Sequence, residues 1–340
     1  MKPESGVATN LGGILRVCRD LLKPIRGVAA GSGLSWDKAE LLLELWRVAD
    51  GIGDFKPDAE GFVTFNELRE SLVNSQPYVS RRIKGVAAKD KQWVEVRESK
   101  AGEAHHANSH CVRISKQGMA VIKPVWQHLR ELASDLFGGI PLTDRRVHLQ
   151  VNQRMLHKIR AYRYEALQKS APAGPLENII TTLKVRRELM TPRIEARLLD
   201  GTDLTLERAD ILVDLYGALK WDWSDPRADA EGFVTLKQLR ASSVQGESSS
   251  QVLFSRRIRD LEGQGRIEIR KGKPDQTYLG ENDRFRITEK GILVIAPVWN
   301  KYQELAEDLM EDIPLRMRLV HSQVNEKLLR KLQPPWARLF

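Results

Sequence analysis

The sequence contains few cysteines and no long apolar segment. Its two cysteines, Cys18 and Cys111, are too few for a disulfide framework, which favours a reducing cytoplasm. No segment approaches the roughly 20 apolar residues of a membrane-spanning helix, and residues 1–10 (MKPESGVATN) lack the apolar core of a secretory signal peptide. We therefore expect a cytoplasmic protein with no membrane partner.

Motifs that support catalysis or cofactor binding are also missing. The chain has no phosphate-binding Gly-rich loop, no Gly-x-Ser-x-Gly elbow and no His-Glu-x-x-His pair. Asp222 and Asp225 are close in sequence, but their segment, WDWSDP, is typical of a turn. We expect a protein that is not an enzyme and has no cofactor.

Residues 105–111 include ligand types that bind zinc, namely His105, His106, His110 and Cys111. The second half of the chain has no equivalent group, and we predict that Cys111 lies in a strand rather than at a loop tip. We therefore interpret the segment as a polar loop and predict no metal site. Cys18 lies on an apolar helical stripe, where a buried thiol is inert, and this argues against oxidant sensing.

Charge and composition indicate the kind of partner. A hydrophobic fraction of 41% and a charged fraction of 29% are typical of a folded globular protein. Lysine and arginine number 54 against 45 aspartate and glutamate, giving a net charge of +9. An excess of this sign favours a polyanionic partner.

A set of short segments recurs in the same order about 173 residues later in the chain. The recurring segments are EGFVT at 60 and 231, SRRI at 80 and 255, PVW at 124 and 297, IPL at 140 and 313, and VN at 151 and 324. A period this long indicates a duplicated domain rather than a solenoid. We place a Pro/Gly-bearing linker at 168–175, which gives a first repeat of 1–167 and a second of 176–340.

The pattern of apolar and turn residues predicts the same order of elements in each repeat: helix, helix, short strand, helix, helix, two-stranded β-ribbon, helix, helix. Ser35 and Thr64 are predicted N-caps, the latter with Glu67 three residues on as a capping box. Pro124 and Pro297 are predicted to start or kink the helix after the ribbon. The expected class is α+β, mostly α.

The fourth helix of each repeat is predicted to bury apolar side chains on one face. These are Val79, Ile83 and Val86 in the first repeat, and Phe254, Ile258 and Leu261 in the second. At 100° per residue, Arg81 and Arg256 then point away from the core. A helix-turn-helix followed by a β-ribbon is a winged helix, and an outward arginine suits guanine edges in the DNA major groove.

We predict DNA contacts from this helix, from the residues just before it and from the ribbon, which suits phosphates or the minor groove. In the first repeat the predicted contact residues are Ser75, Gln76, Tyr78, Ser80, Arg81, Arg82, Lys84, Arg97 and Lys100. In the second repeat they are Ser249, Ser250, Gln251, Ser255, Arg256, Arg257, Arg259, Arg270, Lys271, Lys273 and Arg284.

Residues 252–291 carry a recognisable series of motifs. A helix ending in RDLEGQG (259–265) precedes the strand RIEIR (266–270), the pair Asp283-Arg284 and the segment ITEKG (287–291). This series resembles the multiple-antibiotic-resistance-regulator (MarR) family of bacterial transcription factors. The first repeat keeps ISKQG at 114–118 but lacks the Asp-Arg pair.

The resemblance implies tandem winged-helix domains in one chain. Subunits of that family pair through their terminal helices on a palindromic site, so two fused copies imply a monomeric, intramolecular pseudo-dimer. Because residues 78–81 (YVSR) differ from 253–256 (LFSR), we expect an imperfect palindrome or an asymmetric operator. The resemblance implies a transcriptional repressor or activator bound to double-stranded DNA at the bacterial nucleoid, and it is compatible with a small-molecule inducer.

Two other functions fit the same residues. A plasmid or phage replication initiator can also carry two winged-helix domains, but it would bind iterated repeats at an origin. Winged helices can also serve as protein-interaction modules, which would show no salt-sensitive binding to duplex DNA.

Overall fold

The computed structural model describes residues 7–51, 57–72, 76–88, 91–98, 110–161, 174–189, 192–220, 228–242, 251–272 and 279–332. Several predicted features lie outside these residues: Ser75, His105, His106, Lys100, Asp222, Asp225, Ser249, Ser250, Lys273 and most of the linker at 168–175. The described chain is mostly helical with two small antiparallel sheets. The predicted α+β, mostly α class is confirmed.

The helices are α1 (Val7–Gly31), α2 (Trp36–Ala49), α3 (Phe65–Leu72), α4 (Gln76–Ala87), α5 (Lys116–Phe137), α6 (Leu142–Ala161), α7 (Pro175–Leu189), α8 (Pro192–Leu199), α9 (Leu206–Lys220), α10 (Leu236–Ser242), α11 (Gln251–Gly263), α12 (Glu289–Met310) and α13 (Leu315–Leu332). The strands are β1 (Val63–Thr64), β2 (Val94–Glu98), β3 (His110–Ile114), β4 (Val234–Thr235), β5 (Ile267–Arg270) and β6 (Arg284–Ile287). Within the described ranges, no helix combines the length and the apolar character that crossing a bilayer requires.

The chain divides into two compact units, each made of non-contiguous segments. The major unit comprises Val17–Glu188 and Leu315–Phe340, and the minor unit comprises Met1–Arg16 and Leu189–Pro314. The last helix, α13, therefore groups with residues of the first repeat. Most of α7 also groups with the first repeat, while Met1–Arg16 groups with the second, so the units and the sequence repeats have different boundaries.

Each unit contains a three-stranded sheet with the last strand in the centre, in the orders β1-β3-β2 and β4-β6-β5. Thr64 pairs with Cys111 in one sheet and Thr235 with Arg284 in the other, so the registers correspond. The predicted order is confirmed from α2 through β3 in the first repeat and from α9 through β6 in the second. The second repeat has one helix more than predicted, because α8 lies between α7 and α9. The sequence predicted the first strand as a separate short piece, whereas it joins the ribbon as a third strand.

The predicted buried faces of α4 and α11 are confirmed. Val79, Ile83 and Val86 lie in the core of the major unit, which also takes in Val324 and Leu328 from α13. Phe254, Ile258 and Leu261 lie in the core of the minor unit. Burial of each such side chain contributes about 1.5–3 kcal/mol, which holds both helices firmly and fixes which residues face outward.

Capping boxes begin α3 and α10. The Glu67 N–H donates to Thr64 Oγ1 at 3.1 Å, and the Thr64 N–H donates to Glu67 Oε2 at 2.8 Å. Thr235 and Gln238 repeat the arrangement at 3.2 and 2.8 Å. The predicted Thr64 cap is confirmed. Ser35 is the N-cap residue of α2, as predicted, but its side chain makes no capping hydrogen bond. Its carbonyl accepts from the Lys38 and Ala39 N–H groups.

Replacing Thr64 by alanine removes both hydrogen bonds that its hydroxyl makes at the start of α3. We expect a loss of about 1 kcal/mol in the free energy of unfolding, the usual contribution of an N-cap. Urea denaturation measures it, with Thr64→Ser as the matched control because serine keeps the capping oxygen. Equal stability of the alanine and serine variants would contradict the role assigned to this box.

Ser115 and Thr288, rather than the prolines, begin the helices that follow the ribbons. The Gly118 N–H donates to Ser115 Oγ at 3.0 Å, and the Gly291 N–H donates to Thr288 Oγ1 at 3.2 Å. Pro124 and Pro297 lie inside α5 and α12. Of the two predicted roles, to start or to kink the helix, the first is wrong, because hydroxyl caps earlier in the chain already begin these helices.

A buried polar cluster lies between α6, α7 and α13 in the major unit. Its six members are all at most 2% exposed: His148, Asn152, Asn178, Thr182, His321 and Asn325. His148 Nε2 lies 3.1 Å from Asn325 Oδ1, and His321 Nε2 lies 3.1 Å from Asn152 Oδ1. The pairing is reciprocal, since each repeat supplies one His and one Asn at matching positions of α6 and α13. Such self-complementarity is typical of a two-fold interface.

Further contacts complete the surroundings of this cluster. The two imidazole rings stack with centroids 4.7 Å apart, and the Asn152 amide donates to Thr182 Oγ1 at 3.0 Å. The Cys18 thiol donates to the Thr182 carbonyl at 3.1 Å and is buried, as predicted for this stripe. Burial lowers the pKa of His148, and burial together with the neighbouring His148 lowers the pKa of His321 well below its ordinary value.

Candidate nucleic-acid interface

The outward faces of α4 and α11 present basic residues at matching positions. Arg81 and Lys84 on α4 are exposed, as are Arg256 and Arg259 on α11. Within the described part of the chain, neither Arg81 nor Arg256 forms a salt bridge with a carboxylate. The predicted residues Ser80 and Ser255 are half-buried beside them, and Gln76, Tyr78 and Gln251 lie in the first turns of these helices.

Arg82 and Arg257 face the preceding helix of their own unit. The Arg82 guanidinium donates to Asp37 at 2.8 Å and to Glu40 at 3.0 Å, both on α2. Arg257 lies 3.7 Å from Glu207 on α9. Both were predicted DNA contacts, but the fold uses them to hold α4 and α11 in place. The physical reason is that carboxylates of α2 and α9 lie next to the sides of α4 and α11 that carry Arg82 and Arg257.

An aromatic ring just before the first strand of each sheet contacts two arginine side chains. The guanidinium carbons of Arg97 and Arg113 lie 4.8 and 4.6 Å from the centroid of Phe62. Those of Arg270 and Arg286 lie 4.1 and 4.6 Å from the centroid of Phe233. We call this arrangement the Arg–Phe–Arg stack, and cation–π attraction stabilises it.

Carboxylates fix the arginines of both stacks. Arg97 binds Asp58, Arg113 binds Glu95, Arg270 binds Glu231 and Arg286 binds Glu268. Arg284 binds Asp229 at 2.8 Å. The predicted wing contacts Arg97, Arg270 and Arg284 thus have carboxylate partners within their own units.

The carboxylate of Asp229 organises the turn before β4. Its Oδ1 accepts from the N–H groups of Glu231 at 3.0 Å and Phe233 at 2.9 Å. The Phe233 N–H lowers the pKa of Asp229 most. Slight burial opposes this effect, while the Glu231 N–H and Arg284 lower the pKa further. The charge that faces Arg284 is therefore retained well into the acid range.

Asp283 closes the base of the connection between β5 and β6. This buried carboxylate accepts from the Gly272 N–H at 2.8 Å and the Gly280 N–H at 2.9 Å. In the first sheet the corresponding position is occupied by His110, which is exposed and lies against the ring of Phe65 at 5.5 Å. The Asp-Arg pair noted in the sequence is thus a structural clamp, and the first repeat lacks it. Lys271 is exposed beside this clamp.

The junction from ribbon to helix explains the Thr-Glu-Lys-Gly motif. The Thr288 N–H donates to the Arg266 carbonyl at 3.0 Å, and its hydroxyl donates to the Gly265 carbonyl at 2.7 Å. A Cβ on Gly291 would lie 2.2 Å from the Arg266 carbonyl oxygen. Ser115 and Gly118 repeat this close approach in the major unit. These contacts fix each ribbon to the helix that follows it.

Sequence reasoning missed the Arg–Phe–Arg stacks. A signal was present, because Phe62 and Phe233, and likewise Arg113 and Arg286, recur within the matching segments of the two repeats. Cys111 was predicted to lie in a strand, and this is confirmed, with its side chain buried in β3. Among the described residues, no group of three or more His, Cys, Asp or Glu side chains is arranged to hold a metal ion.

No protein-family model matches the chain, and a comparison with curated proteins finds no match. The surfaces of the two units are therefore the basis for assigning a function.

Proposed function

We propose that the chain is a sequence-specific double-stranded DNA-binding protein, a transcriptional regulator of the MarR type rather than an enzyme. Each repeat would form one winged helix, and the bacterial nucleoid would be its place of action. Support comes from the order of elements in each repeat, a helix, a short strand, two further helices and a β-ribbon. This order supplies the helix-turn-helix and the wing that such a module requires.

One observation carries the proposal: α4 and α11 expose an arginine at the same position, Arg81 and Arg256, while the arginine that follows it faces the scaffold. An exposed guanidinium without a carboxylate partner on a helix suits bidentate recognition of guanine in the major groove. The neighbouring Lys84 and Arg259 suit phosphates, which fix the position of the helix without reading sequence.

The wings play a smaller part in this proposal than the sequence suggested. Since Arg97, Arg270 and Arg284 already bind carboxylates of their own units, contact with phosphate would require exchange of partners. Lys271, which follows β5, is exposed and has no carboxylate partner within the described part of the chain, so it could contact phosphate directly. We assign sequence reading to the helices and a backbone-contacting role to the ribbons.

Selection of the purified full chain on random duplexes, repeated over a range of salt concentrations, tests the proposal. We expect one motif with two unequal half-sites, and an affinity that falls steeply with salt as counterions are released. Because one chain carries both modules, the complex should contain one chain per site. Tandem iterated motifs would favour a replication initiator, and no enrichment at any salt would favour a protein-interaction module.

Replacing Arg81 or Arg256 by alanine should weaken binding to the selected duplex by about 1–3 kcal/mol each and relax the base preference in one half-site. Fluorescence anisotropy against the selected site and single-base variants measures both effects. Arg130→Ala is the matched control, because Arg130 is an exposed arginine on α5 and its loss changes the net charge equally. Unchanged affinity in both test variants would contradict our assignment of the recognition helices.

A further inference from the structure

The first turn of α11 exposes two aliphatic side chains. Val252 is 73% exposed and Leu253 is 49% exposed, although aliphatic residues in the rest of this helix are buried. Val252, Arg256 and Arg259 follow one another at four- and three-residue spacing, so they lie on one face of the helix. The exposed face of α11 therefore combines apolar surface at its N-terminal end with guanidinium groups further along.

The positive charge near Val252 and Leu253 limits the kind of partner surface that can pack on them. The acidic residues of α11 all lie in its last turn, where Asp260 accepts from Arg208 at 2.8 Å. A partner that covers Val252 must therefore also accommodate the basic side chains of Arg256 and Arg259. An anionic surface that presents small apolar groups satisfies both conditions.

The major groove of DNA is such a surface. Thymine places its 5-methyl group at the groove edge, beside the acceptor atoms of neighbouring bases and between rows of phosphates. The N-terminal residues of a recognition helix are those that reach base edges, and Val252 and Leu253 occupy this position on α11.

We propose that the first turn of α11 reads thymine, with Val252 and Leu253 packing against at least one thymine methyl group in the half-site bound by the second repeat. This assignment rests on the proposed DNA-binding function and adds the base that these side chains recognise. In α4 the corresponding positions hold Pro77 and Tyr78, so the two half-sites differ at this base.

Replacing thymine by deoxyuridine tests the inference, because this substitution removes only the methyl group. The half-site of the second repeat is first identified as the one in which Arg256→Ala relaxes base preference. Each thymine in it is then replaced singly, and the affinity of the full chain is measured by fluorescence anisotropy. We expect about a fourfold loss at one or two positions, the effect of removing one buried methyl group.

The double variant Val252→Ala/Leu253→Ala, measured against the same duplexes, gives a double-mutant cycle between the two side chains and the thymine methyl group. It should bind thymine and deoxyuridine duplexes equally, whereas Leu293→Ala, which truncates an exposed aliphatic side chain on α12, should discriminate as the natural protein does. Because Val252 and Leu253 are exposed, the double variant should have the same melting temperature as the natural protein.

The outcomes separate the two proposals. The thymine assignment would be overturned if the affinity for the specific site did not change on removal of any thymine methyl group. It would also be overturned if the half-site of the second repeat contained no thymine. Either result would leave DNA recognition intact. Equal discrimination by the double variant and the natural protein would also overturn it. Failure to bind any duplex would overturn both.

Discussion

Replacing Gly291 by alanine should destabilise the minor unit by about 3 kcal/mol or more, because the new methyl group would meet main chain rather than a flexible side chain. Its Cβ would lie 2.2 Å from the Arg266 carbonyl oxygen and 2.7 Å from Ile287 Cγ1. Relief requires β5 to move away from α12, which would break the Thr288–Arg266 hydrogen bond. Gly118→Ala should act in the same way in the major unit, where the distance to the Trp93 carbonyl oxygen is 2.0 Å.

Urea denaturation followed by circular dichroism measures these losses, and the chain offers matched controls. At Gly263, the end of α11, an added methyl group would have no atom within 4 Å, and at Gly85 in α4 it would meet only the tip of Lys38 at 4.0 Å. Alanine at Gly85 should stabilise by about 0.5–1 kcal/mol through helix propensity. Equal stability of the Gly291→Ala and Gly263→Ala variants would contradict the close packing at the junction.

Acidification from pH 7.5 to pH 5 should strongly destabilise the major unit through the buried polar cluster. Folding lowers the pKa of His148 and of His321 below the ordinary value of 6.5. Below about pH 6.5 the unfolded chain therefore takes up protons that the folded chain excludes, and stability falls as pH falls. Each excluded proton contributes a slope of up to about 1.4 kcal/mol per pH unit, so the pair contributes up to about twice that.

The pH dependence of the urea midpoint separates this effect from that of the carboxylates. Asp58, Asp229 and Glu207 have lowered pKa values, from ordinary values of 3.8, 3.8 and 4.5, so their contribution is lost only at lower pH. His321→Gln should lower the slope between pH 6.5 and pH 5, whatever it does to stability at neutral pH. His128→Gln, at an exposed position on α5, is the control, and an equal slope in both variants would contradict the role of the buried pair.

Local features of this fold were predictable from the sequence. Spacing of apolar residues identified the buried faces of α4 and α11, because a helix repeats its face every three to four residues. The Thr64–Glu67 capping box was predictable because both partners lie within one turn. The duplicated segments also led to a correct order of elements from α2 through β3 and from α9 through β6, although α8 was not predicted.

Features that depend on distant parts of the chain were not predictable. The carboxylates that bind Arg82 and Arg97 lie about 40 residues away in sequence, and no local pattern shows that they will meet. For this reason Arg82 and Arg97 were predicted from the sequence to be accessible to DNA. Arg81 and Arg256 were predicted to face outward, and that orientation followed from helix periodicity alone.

The family resemblance implied that terminal helices pair, but the residues alone did not show which side chains of α6 and α13 meet, although Val-Asn recurs at 151 and 324. Recurrence shows that two positions are equivalent, but it does not show that they touch. Only the fold brings His148 beside Asn325 and His321 beside Asn152.

The contribution of α13 to the major unit has a consequence for protein synthesis. Val324 and Leu328 complete a core whose other residues come from Val17 to Ile179, and Lys331 donates to the carbonyl groups of Asp135 and Gly138 at the end of α5. A ribosome adds roughly 5–20 residues per second. The nascent major unit must therefore wait on the order of ten seconds, with the α13-facing side of α6 uncovered, before α13 is translated.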